Sequence, residues 1–362
     1  MSLTTEAVRT ALQGVMVSET GQDLVSAGLV KSLKVDGEDV DLELVVTFPA
    51  KSRLDAIRKA AIAAVRSVPG VGNASVSIRQ EIQAHSVQRG LKRIPSVKNM
   101  IAVASGKGGV GKSTTTVNLA LALAAEGATV GVLDADIYGP SIPTMLGIVG
   151  RPESVDGQTI EPMMGHGLQC NSIGFLIDKD QAMVWRGPMV TQALDQLLRQ
   201  TTWKDLDYLL IDMPPGTGDI HLTLAQNVPI TGAVIVTTPQ EVALMDARKG
   251  LKMFEKVSVP VIGIVENMSL YVCPQCGHAE HIFGAGGGGL MAQDYSVPLL
   301  GSLPLNLSIR EQSDAGRPTL VADPDGAIAG LYKEIARKVA VSVSKIGKDM
   351  SSKFPTIVVQ NT

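Results

Sequence analysis

Residues 106–113 limit the possible folds of this chain more than any other segment. They read Gly-Lys-Gly-Gly-Val-Gly-Lys-Ser, which is the pattern of a phosphate-binding loop with an additional lysine inside it. Successive glycines let backbone N–H groups turn inward around a phosphate, and the helix that follows directs its positive N-terminal end at the same anion. The segment therefore predicts a strand, a loop and a helix, in that order, around a bound phosphate.

The surroundings of the loop have the required character. Residues 100–104 form a short apolar run typical of a strand, and residues 114–125 form an Ala- and Leu-rich stretch typical of a helix. In such a site Lys112 reaches the β- and γ-phosphates, and the Ser113 hydroxyl binds Mg²⁺. We therefore expect the nucleotide to be bound by Gly106, Lys107, Gly108, Gly109, Val110, Gly111, Lys112, Ser113 and Thr114.

The composition is that of a globular chain without a strong charge bias. Its 362 residues suggest about two domains, and 45% hydrophobic residues with 19% charged residues are sufficient for a sizeable core. The net charge of −3 gives no reason to expect nucleic acid or an anionic membrane as a partner. The sequence shows neither a secretory leader nor an apolar run of membrane-spanning length, so the expected location is the cytoplasm.

The first 80 residues are predicted to form a separate small α/β domain. Helices are expected at 5–17 and 54–68, and strands at 29–35, 39–48 and 74–78. Asp36-Gly37 lies between two alternating strands, which is a strong hairpin signal. Residues 81–98 carry four basic residues and little apolar periodicity, and they are interpreted as a solvated linker.

Residues 99–344 are predicted to form the larger domain, and no role is assigned to the tail at 345–362. Apolar β-branched runs alternate with helical patterns here, which indicates a mostly parallel sheet with helices on both faces. Further strands are expected at 129–133, 168–173, 208–211, 233–236, 261–265 and 299–300, and helices at 190–199, 219–227, 242–256, 289–294 and 328–341. Ligands of such sheets bind beyond the carboxyl ends of the strands.

Carboxylates follow two of these strands. Asp212 ends the run at 208–211 and is assigned to the Mg²⁺ side of the nucleotide site, directly or through a water. Asp136 begins a loop from which it could orient the attacking water. Asp134 is assigned as a neighbouring acid of the Mg²⁺ site or a structural acid. The alternative for each aspartate is that it only caps the following helix or turn.

The three cysteines are too few for a disulfide framework and fit reduced thiols. Cys170 lies in an apolar run and is expected to be a plain buried thiol. The spacing of Cys273 and Cys276 allows both thiolates to bind one metal centre, but two thiolates do not complete its coordination. From the residues alone, His278 and His281 could complete a zinc site, two chains could share an iron–sulfur cluster, or the pair could be a redox or inert thiol pair.

Several motifs resemble a known family when taken together. Residues 107–114 look like the deviant Walker A loop of the class that contains MinD, ArsA and the nitrogenase iron protein. Within this class the Mrp/ApbC iron–sulfur carrier ATPases are similar over about residues 98–320. The segments that carry this resemblance are D-x-D-x-Y-G-P-S at 134–141, W-R-G-P at 185–188, D-M-P-P-G-T-G-D at 212–219, E-N-M at 266–268 and C-x-x-C-G-H at 273–278.

The N-terminal domain also resembles the small iron–sulfur assembly domain that is fused to bacterial Mrp proteins. Members of that family often carry a cysteine in a T-x-P-x-C segment, whereas residues 47–52 of this chain read Thr-Phe-Pro-Ala-Lys-Ser. The first 80 residues contain no cysteine at all. The resemblance therefore implies no cluster ligand in this domain.

The resemblance implies roles for individual residues. It makes Lys107 the signature lysine that reaches the nucleotide of a facing subunit, which implies a homodimer. It makes Asn267 the residue that contacts adenine, although from the residues alone Asn267 could equally be a turn residue. Because the guanine-reading N-K-x-D pattern is absent from the sequence, ATP is favoured over GTP. For Cys273 and Cys276 the resemblance favours a cluster shared between two chains, expected to be [4Fe–4S].

The combined prediction is a Mg²⁺-dependent, homodimeric ATPase that carries an iron–sulfur cluster to apo-proteins. Lys107, Lys112, Asp136 and Asp212 are its predicted catalytic residues. ATP binding is expected to clamp the protomers at Lys107 and Asp136 and so change the separation of the two cysteine pairs. The alternatives are a MinD-like positioning or switch ATPase with a structural zinc or an inert cysteine loop, and a reductase similar to the nitrogenase iron protein.

Overall fold

The computed structural model of the chain describes residues 3–88, 90–154, 156–177 and 187–347. Three features of the sequence lie outside these residues: Arg89 of the predicted linker, the first two residues of the W-R-G-P motif at 185–188, and the tail from residue 348. The described residues form a small N-terminal unit and a larger α/β unit.

The N-terminal unit pairs two long helices with a three-stranded sheet of order β3-β4-β5. Its predicted hairpin is confirmed, since Asp36 pairs with Asp39 across a turn in which Gly37 has a φ of +59°. The first helix is shorter than predicted because Gly14 caps it. The elements are α1 (Thr5–Gln13), β1 (Met16–Val17), β2 (Gln22–Asp23), β3 (Val30–Asp36), β4 (Asp39–Val46), α2 (Leu54–Arg66) and β5 (Asn73–Gln80).

The larger unit alternates strands and helices. Its first half contains β6 (Val97–Ser105), α3 (Lys112–Ala125), β7 (Val130–Asp134), α4 (Ile142–Met145), β8 (Met163–Gly165), β9 (Leu168–Ser172), a 3₁₀ turn (Ile173–Phe175), α5 (Gly187–Arg199), β10 (Leu206–Pro215) and α6 (Asp219–Asn227). Its second half contains β11 (Gly232–Thr237), α7 (Glu241–Lys256), β12 (Val261–Glu266), β13 (Tyr271–Val272), β14 (Ala279–Glu280), α8 (Gly287–Asp294), β15 (Leu299–Ser302), α9 (Leu307–Asp314), α10 (Thr319–Ala322) and α11 (Ala327–Ser344).

The main sheet confirms the predicted fold class. Across the described residues its eight strands run in the order β15-β12-β11-β6-β10-β7-β9-β8. All neighbouring pairs are parallel except β8 with β9 at one edge. The carboxyl ends of β6, β7, β10 and β12 therefore meet along one edge. No helix in the described part of the chain is long and apolar enough to cross a membrane.

The side chains of the central strand alternate between two cores. Ile101 and Val103 of β6 belong to the core that α3 and α11 cover. Met100 and Ala102 belong to the core that α5, α6 and α7 cover. Because both faces of the sheet are buried, its strands are continuous apolar runs instead of alternating ones.

The N-terminal unit is docked at the far end of α3. Its apolar residues belong to the same buried cluster as those of α3 and α11. Glu126, which follows α3 and is 1% exposed, accepts hydrogen bonds from Arg337 Nη1 at 2.5 Å, Ser52 Oγ at 2.8 Å and Ser52 N at 3.0 Å. Lys51 N donates to Glu126 O at 3.0 Å. One buried carboxylate therefore joins the N-terminal unit, α3 and α11.

The segment between the units is less solvated than predicted. The strand β6 begins at Val97, inside the predicted linker at 81–98. Ile82 and His85 are buried, and the His85 ring donates from Nδ1 to Asn99 Oδ1 at 2.9 Å. The interpretation of the whole segment as solvated was therefore wrong, because the buried amide of Asn99 gives the segment a polar anchor on β6.

We expect Glu126→Gln to lower the free energy of unfolding by on the order of 2 kcal/mol, because it removes the carboxylate that accepts from Arg337 Nη1, while Glu19, 3.7 Å from Arg337 Nε, still faces the guanidinium. Glu334→Gln on α11 is the matched control. It removes an exposed pair with Lys338 and should change stability by less than about 0.5 kcal/mol. Urea titration measures both variants, and equal effects would show that the Glu126 contacts contribute nothing beyond a surface pair.

Candidate functional site

The predicted phosphate loop connects β6 to α3 at the carboxyl edge of the sheet. It borders a cavity of about 200 Å³. The cavity is lined by Ser105, Lys107, Gly108, Gly109, Gly111, Lys112, Ser113, Thr114, Asp136, Ser141, Met145 and Pro215. The structure thus brings the loop residues together with Asp136, which lies more than 20 positions further along the chain.

Two glycines of the loop are required by close packing. A Cβ at Gly106 would stand 2.2 Å from the backbone carbon of Asp246 in α7. Gly111 has a φ of +80°, and a Cβ there would stand 2.2 Å from Asn267 Nδ2. Only glycine allows the loop to lie this close to α7 and to Asn267.

The carboxylate of Asp212 is the centre of the site and has no exposed surface. Lys112 Nζ lies 2.8 Å from Oδ2, and Ser113 Oγ donates to the same oxygen at 2.6 Å. Thr116 Oγ1 donates to Oδ1 at 2.7 Å. The predicted partners of Asp212 are therefore adjacent to it, and Thr116 is a further partner that the sequence reasoning missed. A carboxylate beside a hydroxyl is the hard oxygen donor set that Mg²⁺ prefers, so these residues fit a Mg²⁺ ion.

Asp136 lies on the other side of Lys112, with Oδ2 3.9 Å from Nζ. It is largely buried and lines the phosphate cavity. Burial raises the pKa of Asp136 above its ordinary value, while the nearby Lys112 ammonium acts in the opposite direction. The side chain is thus placed where a base for a water molecule would stand.

Asp134 holds the loop that carries Asp136. Its Oδ1 accepts from Asp136 N at 3.2 Å, and its Oδ2 accepts from Ile142 N at 3.2 Å and Ser172 Oγ at 3.0 Å. Burial and the neighbouring Asp212 charge raise the pKa of Asp134 to about 7. These contacts favour the structural role that was predicted for Asp134 as an alternative to a place beside Mg²⁺.

A second cavity adjoins the phosphate cavity and has a volume of about 210 Å³. Asn267 lies at its wall, where Nδ2 donates to Val110 O at 2.9 Å. Residues that the sequence reasoning missed complete it: Met268, Pro304, Leu305, Asn306, Ile309, Arg310, Ser313 and Asp314. Asn306 is a residue type typical of helix N-caps, and its Oδ1 accepts from Ser308 N. This was the one feature of the sequence that indicated α9.

Cys273 and Cys276 lie in a surface turn between β13 and β14. Cys273 N donates to His278 O at 2.9 Å, and Gly277 N donates to Cys273 O at 2.9 Å. Cys276 is exposed and Cys273 is half-buried. Hydrogen bonds from the backbone of Cys276 and Gln275, together with one from the Cys276 side chain, lower the pKa of the Cys273 thiol. The turn therefore carries two thiols at the surface, and the pKa of one of them is lowered.

The zinc alternative is not supported. The His281 ring donates from Nδ1 to Ser269 O at 2.5 Å. No three His, Cys, Asp or Glu residues of the described chain are grouped so that they could hold a metal ion. The zinc site, which was one alternative for the cysteine pair, requires such a group from His278, His281 and the two thiols, and the described residues do not form one. Cys170, by contrast, is buried as expected, and burial raises its pKa.

Two family models match the chain. The model described as the NUBPL iron-transfer P-loop NTPase, of the ParA group, matches residues 96–340. The model described as an iron–sulfur cluster assembly protein matches residues 5–78. The matches fall on the two units of the fold.

Individual proteins are similar over most of the chain. An iron–sulfur cluster carrier protein from Salmonella typhimurium is 54% identical over 307 residues, which cover 84% of this chain and 83% of the relative. The iron–sulfur cluster transfer protein NUBPL from Mus musculus is 52% identical over 274 residues, which cover 74% and 86%. A solved nucleotide-binding protein from Archaeoglobus fulgidus, in complex with ADP, is 38% identical with a TM-score of 0.58 and covers 66% of this chain and 94% of that protein.

Asp134 predicts a pH dependence of stability. Its pKa of about 7 in the folded protein exceeds the ordinary value of 3.8, so the folded state keeps a proton that the unfolded chain loses. The stability that this group contributes is complete below about pH 4, falls as the pH rises towards about 7 and then levels off. Asp134→Asn should therefore gain stability relative to the native chain as the pH rises from about 4 to about 7, with a constant difference above that range.

Urea titrations at several pH values check this prediction. Asp55→Asn is the control. Its pKa is lowered by Lys59 and Arg58, so the carboxylate is ionised in both states over the same pH range. A constant difference between Asp134→Asn and the native chain across the range would contradict the expected titration.

Proposed function

Since this chain belongs to the family of NUBPL iron-transfer P-loop NTPases, we propose that it binds and hydrolyses ATP with Mg²⁺ and, as a homodimer, carries an iron–sulfur cluster to apo-proteins. We further propose that residues 1–80 form its iron–sulfur assembly-like domain and that residues 345–362 are its tail. The proposed ATPase domain ends at residue 344 and begins at Val97, where β6 starts, instead of at residue 99, so the connecting segment is 81–96. The observation that carries the proposal is the short separation along the chain between the phosphate loop's contact, Asn267, and the cysteine pair. The phosphate loop contacts Asn267, and Cys273 follows six residues later.

The phosphate loop supplies the charge that a nucleotide requires. Its glycines have no side chains that would cover the backbone N–H groups of the loop. The helix α3 begins at Lys112, so its positive N-terminal end lies at the cavity. Lys112 Nζ lies between Asp212 and Asp136, so the ammonium is held at the cavity wall, within reach of a terminal phosphate. The cost of burying this charge is offset by the two carboxylates.

Ser113 and Asp212 would hold the Mg²⁺ ion. When bound, the ion would neutralise charge on the terminal phosphates and stabilise the transition state. Asp136 would orient the attacking water and accept its proton, a task that suits a carboxylate with a raised pKa. Asp134 keeps Asp136 in place through the backbone N–H groups of the loop.

Asn267 would select adenine. One N–H of its amide is used by Val110 O, which leaves Oδ1 and the second N–H for the 6-amino group and a ring nitrogen of the base. The apolar side chains of Pro304, Leu305 and Ile309 line the same cavity and would pack against the face of the base. The A. fulgidus protein in complex with ADP supports a nucleotide at this site.

The turn that contains Cys273 and Cys276, here called the cysteine turn, would bind the iron–sulfur cluster that the protein carries. Two accessible sulfurs per chain provide half of the four thiolates that a [4Fe–4S] cluster prefers. A cluster held by two facing chains would therefore require the homodimer, in which Lys107 would reach the nucleotide of the opposite protomer. The pairing of a half-buried Cys273 with an exposed Cys276 in a surface turn favours this carrier function over a switch ATPase, because a switch has no use for surface thiols.

The two sites are linked by a short, fixed segment. Ser269, between Asn267 and Cys273, is buried, and its N–H donates to Leu303 O at 2.9 Å. Its carbonyl accepts from His281 beyond the cysteine turn. If the bound base displaced Asn267, the residues before and after the cysteine turn would therefore be displaced as well.

Reconstitution with iron and sulfide under anaerobic conditions tests the carrier function. We expect about one cluster per dimer by metal analysis and native mass, and complete loss of the cluster in Cys273→Ala/Cys276→Ala. Cys170→Ala is the matched control, because the buried Cys170 thiol cannot reach a cluster at the surface, and it should keep the full metal content. Retention of iron by the double variant, or one metal ion per monomer, would contradict the proposal.

Substitutions of the two loop lysines should affect nucleotide binding and ATP hydrolysis differently. Lys112→Ala should abolish nucleotide binding, whereas Lys107→Ala should keep ADP binding and lose ATP turnover by on the order of a hundredfold or more. Calorimetry and phosphate release measure these two properties. Lys249→Ala, which removes an exposed lysine on α7, serves as the control. Unchanged turnover in Lys107→Ala would refute a role for Lys107 across the interface.

A further inference from the structure

His221 in α6 is a buried titratable residue that the proposed mechanism does not use. It is 8% exposed, and its Nε2 lies 2.9 Å from Pro214 O. Because a carbonyl can only accept, Nε2 carries the ring proton. Burial lowers the pKa of His221 below its ordinary value. In the neutral ring Nε2 is then the donor and Nδ1 the acceptor.

The acceptor at Nδ1 is buried and has no hydrogen-bond partner among the residues that the structure describes. A buried polar atom without a partner costs free energy, on the order of 1–3 kcal/mol. Such an atom in a folded protein therefore needs an explanation. An arrangement of the neighbouring backbone that supplies an N–H to Nδ1 would remove this cost.

The neighbouring backbone is the loop at 214–218, which joins Asp212 to α6. Pro215 of this loop lines the phosphate cavity. Gly216 N donates to Ser105 O at 3.0 Å, and Gly216 has a φ of +109°. His221 and Ser105 thus each hold the loop by a hydrogen bond, and Ser105 directly precedes the phosphate loop.

The loop has few donors for His221 Nδ1. Prolines at 214 and 215 have no N–H, and the N–H of Gly216 is used by Ser105 O. The N–H groups of Thr217 and Gly218 remain.

We propose that His221 is a positioning residue for phosphoryl transfer. Its Nε2 holds the loop at 214–218, and with it the Pro215 wall of the phosphate cavity, while Nδ1 accepts the N–H of Thr217 or Gly218 in the arrangement that accompanies γ-phosphate binding. The inference rests on the proposed ATPase function. It adds a residue that senses the γ-phosphate through the loop and touches neither the nucleotide nor the metal ligands.

The test compares three variants of the full chain. His221→Phe fills the site without hydrogen bonds, and His221→Gln returns a donor near Nε2 but no acceptor at Nδ1. Gln226→Ala, at an exposed position of the same helix, is the control and should behave as the native chain. The measurements are kcat, KM, the Kd for ADP, and amide hydrogen exchange of residues 214–222 with Mg²⁺ and either ADP or a non-hydrolysable ATP analogue.

We expect His221→Phe to lose roughly tenfold to a hundredfold in kcat, with the Kd for ADP changed less than about twofold. His221→Gln should restore slow exchange of the loop with ADP but only part of kcat. In the native chain the ATP analogue should slow exchange of the loop further than ADP does, and this additional protection should be absent from both His221 variants.

Two results would overturn the proposal: a kcat of His221→Phe within about twofold of the native value, or additional protection by the ATP analogue that is the same in His221→Phe as in the native chain. Full recovery of kcat by His221→Gln would overturn the role of Nδ1. If the native chain does not hydrolyse ATP, the proposed function fails, and the exchange measurement alone decides the role of His221.

Discussion

The buried carboxylate of Asp212 is the interaction on which the arrangement of this protein depends. It lies at the end of the central strand β10 and has no exposed surface, so its charge must be paired. Lys112, Ser113 and Thr116 supply the partners, and all three lie in the first turns of α3. This contact fixes where the phosphate loop ends and how α3 crosses the sheet.

The parallel sheet collects the remaining polar residues around that contact. Asp134 follows β7, Asn267 follows β12, and the phosphate loop follows β6, and all of these strands end at the same edge. The helix α3 extends from this edge to Glu126, where the N-terminal unit is docked. The chain that continues from β12 carries Asn267 and then the cysteine turn. The proposed nucleotide and cluster sites thus lie on one continuous stretch of backbone.

The sequence predicted those parts of the fold that local chemistry determines. The buried strands were recognisable as β-branched runs, and the phosphate loop by its glycines. The second cavity was harder to predict, because most of its walls come from residues around α9, whose recognisable signal is the N-cap residue Asn306. Thr116 was missed because nothing in the sequence shows that the helix turns its hydroxyl towards Asp212.

Two errors have the same physical origin. His278 and His281 were considered as zinc ligands because of their spacing, but spacing does not determine orientation, and in the described residues they form no ligand group with the two thiols. The linker was interpreted as solvated from its charges, yet the buried side chain of Asn99 binds His85 and holds the segment against β6. In both cases the folded arrangement of the side chains, which spacing and charge do not determine, decided the outcome.

The central claim is that the nucleotide and cluster sites are energetically coupled through the segment between Asn267 and Cys273. The most direct test is the affinity for a non-hydrolysable ATP analogue, measured by calorimetry with and without the reconstituted cluster. Coupling is reciprocal, so the account predicts that the cluster changes this affinity by about fivefold or more. Equal affinities for the cluster-loaded and cluster-free protein would show that the two sites are independent and would contradict the account.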